Sequence, residues 1–134
     1  MVVELGGAVL VGTTDALRVL ETSHPPVYYL PRAAFPDGAL EPAAGSSWCE
    51  FKGTARYLDV VQNGACARRA GWYYPEPSPG FGALLGRIAL YPALMGRVSV
   101  AGETVRPQEG GFYGGWITDR VVGPFKGQSG SGGW

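Results

Sequence analysis

Residues 55–61 read ARYLDVV. Their alternation sets Tyr57, Asp59 and Val61 on one face of a strand and Leu58 and Val60 on the other. Just upstream lies SWCEFKG, in which Phe51-Lys52-Gly53 follows the thiol of Cys49. Phe-Lys-Gly returns at Phe125-Lys126-Gly127, but the flanks of the two copies share nothing else. Both copies therefore read as strand-to-turn corners rather than as halves of a duplication. In each corner glycine turns the chain, the ring packs inward and lysine projects.

The same short-strand pattern extends in both directions. VVELGGAVLVGT, residues 2–13, reads as a hairpin with Gly6-Gly7 at the turn. Residues 16–23, ALRVLETS, fit a strand or a short helical turn. In HPPVYYLPR the prolines forbid helix, leaving a strand over 27–30 that Pro31 stops. AAFPDGALEPAAGSS, residues 33–47, reads as a loop with room for one helical turn. AGWYYPEPSPGFG is a strand running into a proline-rich turn, and RIALYP is an apolar strand suited to burial. RVSVAGETVRP forms a second hairpin, with Val98 and Val100 inward and Ala101-Gly102 at the bend. Glycines and aromatics in the last stretch suit a backbone that crosses closely over the sheet. No stretch supports helix beyond two turns, and no linker divides the chain. The expectation is one mostly β domain over residues 1–134, antiparallel, with little helix.

Composition narrows the function classes. Eleven basic and eleven acidic residues cancel, and Arg68-Arg69 is the longest like-charge run. A nucleic-acid partner is not expected without a basic stripe. Neither a membrane span nor a secretory leader is visible, which points to a cytoplasmic protein. Cys49, Cys66 and His24, with no Cys-x-x-Cys, fall short of a zinc site, so no metal and no cofactor are expected. His24, beside two prolines, reads as a loop residue. The glycine-rich runs GGFYGG and GQSGSGG lack the Lys-Ser/Thr and the helix of a phosphate loop. Glu50, Asp59 and Glu103 are scattered singly, and surface residence is their default.

Tyr and Trp are the informative class: seven Tyr and four Trp stand against five Phe. Each adjacent Tyr pair in a strand must send one ring to either face. Rings with a polar handle, beside Arg32 and Lys52, suit a pocket for a planar or anionic small molecule. The ligand-binding group is then Tyr29, Arg32, Lys52, Tyr57 and Trp72. The alternative is an enzyme with Cys49 as nucleophile or redox thiol, its pKa lowered by Lys52. A third reading is an interaction domain that offers its aromatic C-terminal segment. An open sheet edge leaves room for a homodimer.

The motifs PPVYYLPR, WCEFKGTARYLDV, AGWYYPEP, RIALYP and PQEGGFYGGWITDRVVGPFKG together resemble the domain-of-unknown-function family 427, over nearly the whole chain. The matching positions are Tyr29, Pro31, Arg32, Cys49, Lys52, Gly53, Ala55, Tyr57, Trp72, Tyr73, Pro75, Ile88, Ala89 and Tyr91. Tyr91 stands where phenylalanine is frequent, and Glu50-Phe51 where proline and an aromatic are frequent. The resemblance implies a compact sheet fold of the β-tent group, whose members include methionine sulfoxide reductase B and the thalidomide-binding domain of cereblon. Those relatives hold zinc between two Cys pairs, which this sequence lacks, so a zinc-free version is expected. The nucleotidyltransferase label sometimes given to the family would require clustered carboxylates for magnesium. This chain has none.

Overall fold

The computed structural model describes residues 1–20, 26–49, 52–107 and 115–118. The His24 loop, Glu50 and Phe51, Tyr113 and the second Phe-Lys-Gly corner lie outside the described residues. The strands are β1 (Val2–Leu5), β2 (Ala8–Gly12), β3 (Leu17–Val19), β4 (Val27–Pro31), β5 (Leu40–Cys49) and β6 (Gly53–Gln62), followed by β7 (Ala65–Tyr73), β8 (Arg87–Leu90), β9 (Arg97–Val100), β10 (Glu103–Thr104), β11 (Arg106–Pro107) and β12 (Trp116–Ile117). Among the described residues helix is confined to three single 3-10 turns, Arg32–Ala34, Gly82–Leu84 and Pro92–Leu94. None of the described helices is long and apolar enough to cross a membrane.

Among the described residues every strand pairing is antiparallel. One sheet runs β10-β9-β1-β2, a second runs β3-β4-β8-β7-β6-β5, and β11 with β12 makes a short ribbon. Among the described residues three two-residue hairpin turns have both central residues at positive φ: Gly6-Gly7, Asn63-Gly64 and Ala101-Gly102. That geometry matches the right-handed twist of the flanking strands.

The main core lies between the two larger sheets. Val3, Leu5, Leu10, Val11 and Val98 come from one side, and Leu30, Leu58, Val60, Ile88 and Leu90 from the other. Leu10 and Val11 are sequence neighbours yet both buried, because a one-residue bulge lies between the pairs Val3–Val11 and Glu4–Val9. Trp116 is fully buried in this core. Its Nε1 donates to the Leu90 carbonyl at 3.3 Å, and its ring lies 4.9 Å from Tyr28. The first hairpin docks on the β6–β7 turn: Asn63 Nδ2 donates to the Gly6 carbonyl at 3.1 Å and Gln62 Nε2 to the Val9 carbonyl at 3.0 Å. A Cβ on Gly6 would stand 2.6 Å from the Gln62 carbonyl oxygen, so this close approach requires glycine.

Two expectations change. Residues 40–47, the second half of the stretch read as loop, join Trp48 and Cys49 in a ten-residue strand at the sheet edge, where a proline such as Pro42 is tolerated. Lys52 does not project from its corner. It is 7 % exposed, and its carbonyl accepts the Ser78 N–H at 2.9 Å.

Candidate functional site

The six-stranded sheet has two faces, and its alternation sorts the aromatics between them. Tyr28 and Tyr73 turn toward the main core, whereas Tyr29, Trp72 and Tyr74 turn the other way into a second cluster with Ala55, Leu84 and Ala89. Across that second, aromatic face the register aligns a row: Tyr57 opposes Trp72, Trp72 opposes Ala89, Ala89 opposes Tyr29, and Tyr29 opposes Leu17. Ala89 is small enough for Tyr29 and Trp72 to meet over it edge to face, with centroids 6.3 Å apart. Tyr91 packs on Trp72 with its centroid at 4.6 Å. Burial is graded along the row. Tyr29 and Trp72 are buried, Tyr57 and Tyr91 are half-buried, and Ser47 and Arg69 at the rim are exposed.

Arg69 owes its place to two irregularities flanking β6. The pairing slips between Leu58 and Val60 on the β7 side and between Pro42 and Ser46 on the β5 side. In the β7 bulge Arg69 adopts φ +52°, the left-handed region that non-glycine residues seldom enter. Asp59 Oδ1 accepts the Arg69 backbone N–H at 2.8 Å and holds the bulge in that form. The guanidinium then lies 4.5 Å from the Tyr57 ring centroid. Beyond the ring it reaches β5 at Gly45, where a Cβ would come within 3.1 Å of its Nη2. A side chain at position 45 would crowd the arginine off its ring.

The Tyr57 hydroxyl has two neighbouring hydroxyls, those of Ser47 and Tyr91. Tyr57 donates to Ser47 Oγ at 3.1 Å. Tyr91 has its pKa raised, first by burial, then by the neighbouring Tyr57 and by a hydrogen bond to it, with Arg69 only partly offsetting these. Tyr57, Ser47 and Arg69 thus stand together at the exposed end of the row, the last two at its rim. Two donors beside flat rings suit an acceptor such as a carboxylate.

Of the five residues expected to bind ligand, the fold gathers Tyr29, Tyr57 and Trp72 on this face. Arg32 lies elsewhere. Pro31 ends β4, the chain enters a 3-10 turn, and the Arg32 guanidinium settles 5.6 Å from the Tyr73 centroid on the core side of the sheet. There it borders an open groove of about 800 Å³ with Phe35, Asp37, Leu40 and Gly86. Lys52 is buried at the β5–β6 turn. Cys49 opposes Gly53 at that turn and is half-buried. Among the described residues, no three His, Cys, Asp or Glu side chains converge as a metal-holding group. The sequence reading missed Arg69 as the cation of the aromatic face. The signal was Asp59, placed on the Tyr57 face, together with the Arg68-Arg69 pair in the following strand.

An antiparallel β protein with a polar-rimmed aromatic sheet face is the class that fold and site define. The chain belongs to the family described as a domain of unknown function, DUF427, whose profile matches residues 1–102. None of the curated proteins compared with it matches.

Proposed function

We propose that this chain is a binding domain for a small planar anion, received on the aromatic face rather than between Arg32 and Lys52. The ligand ring lies against the half-buried Tyr57 and Tyr91, backed by Trp72, and its carboxylate meets Arg69 and the Ser47 hydroxyl. The observation that supports this reading is the strained arginine. A left-handed backbone costs about 1–2 kcal/mol in a residue other than glycine, and here it places one guanidinium on one ring.

The test uses aryl carboxylates, benzoate and 2-naphthoate, against their neutral amides, followed by NMR of the Trp72 indole and the Tyr57 and Tyr91 resonances. The carboxylates should shift these signals more than the amides do. Arg69→Gln should weaken the carboxylates by about tenfold, the loss of one charge-assisted hydrogen bond. Equal response to acid and amide, or shifts confined to the Arg32 groove, would overturn the proposal.

A further inference from the structure

We infer that the last four residues of β5, from Ser46 to Cys49, form an edge that accepts an extended acidic peptide as an added strand. This surface shares Arg69 with the small-molecule reading but does not rest on it. β5 ends the six-stranded sheet, so its outer side has no neighbouring strand among the described residues. Exposed edges are ordinarily blunted by proline, bulges or charge. Here Pro42 and the bulge before Ser46 blunt only the first half. The second half, SSWC, carries no charge and exposes Trp48 to 73 %.

Two exposed arginines flank this stretch, one on each face. Arg56 opposes Ser46 and lies on the core side with Leu58 and Val60, the residues that alternate with it along β6. Arg69 reaches Gly45 on the aromatic side. Each side chain is long enough to cross one strand spacing of about 4.8 Å. An added strand with neighbouring acids sends one carboxylate to each face, one toward each arginine. A second copy of this chain fits poorly. Its own SSWC edge carries no acid that could meet Arg56 or Arg69.

The probe is a capped hexapeptide, acetyl-Thr-Val-Asp-Glu-Val-Thr-amide, with a counterpart carrying Lys-Lys in place of Asp-Glu. Amide NMR of the full chain should show the acidic peptide shifting Ser46, Ser47, Trp48 and Cys49, and the basic peptide leaving them in place. Arg56→Glu should weaken the acidic peptide by about tenfold while leaving the benzoate response unchanged, since Arg56 faces away from the aromatic cluster. Trp48→Ala should weaken it as well. Both side chains are exposed, so the variants should fold, which circular dichroism checks. Unshifted amides at millimolar peptide, or equal binding of the basic peptide, would overturn the inference. So would a dimer in sedimentation that Trp48→Glu dissolves, since a second copy would then occupy the edge.

Discussion

The Arg69 guanidinium lies over the Tyr57 ring at 4.5 Å because Asp59 fixes the backbone of Arg69, not its side chain. Position and charge are thus separable at residue 69. Arg69→Gly should be more stable than Arg69→Ala by about 1 kcal/mol, since glycine adopts the left-handed backbone freely. Asp59→Ala should cost about 1 kcal/mol through loss of its hydrogen bond. Urea unfolding of the three variants measures both.

Gly6 meets the β6–β7 turn more closely than any side chain permits. Gly6→Ala should cost about 2 kcal/mol or more, combining a left-handed alanine with contact against the Gln62 carbonyl. Gly7 also has positive φ but faces open space, so Gly7→Ala should cost only about 1 kcal/mol. Comparable losses at the two positions would mean that the turn yields to a Cβ at Gly6 without cost.

Tyr91 gives the fold an alkaline sensitivity. Its folded pKa is raised above the usual tyrosine value of about 10, mainly by burial. Above that value the unfolded chain releases the proton while the folded chain retains it. The contribution of Tyr91 is therefore complete below pH of about 10 and declines as pH rises through the folded pKa. Tyr91→Phe should flatten the alkaline limb of the stability profile. Ultraviolet titration should show one late-ionising tyrosine disappearing in that variant.

The two thiols should separate in an alkylation experiment. Cys66 is exposed and Cys49 half-buried, so iodoacetamide at neutral pH should label Cys66 first. Peptide mapping after partial labelling reads the order. Preferential labelling of Cys49 would instead favour the enzymatic reading, in which Lys52 activates that thiol.

How much of this was legible in the sequence differs by residue. The alternation of residues 55–61 survives intact, with Tyr57 in the aromatic cluster and Leu58 and Val60 in the core. The glycine turns at 6–7 and 101–102 are where the pattern sets them, and Tyr28 and Tyr29 divide between the faces. β5 escaped because an edge strand with exposed residues bears little hydrophobic period, and Pro42 and Gly45 mimic a loop. The Asn63-Gly64 hairpin turn was readable in principle, since Asn-Gly is the strongest short-range hairpin signal, but the sequence reading leaves that segment unassigned. Arg32 misled through its closeness to Tyr29 along the chain, because a single turn after Pro31 carries it to the opposite side. No periodicity announces a bulge, and so the sequence hid the reach of Arg69.

The bulges beside β6 also carry a rule about chain length. Opposite two residues of β6, each neighbour spends four: Ala67 to Gly71 faces Val60 to Leu58, and Pro42 to Ser46 faces Leu58 to Arg56. The surplus is even, so everything beyond it keeps its inside and outside. The odd bulge in β2 shows the contrast, turning both Leu10 and Val11 inward. Insertions and deletions in these strands should therefore be tolerated as pairs. Removing one residue from the β7 bulge would turn Trp72 into the core and Tyr73 out of it, whereas removing Arg68 and Arg69 together would shorten the strand and spare the side on which each ring resides.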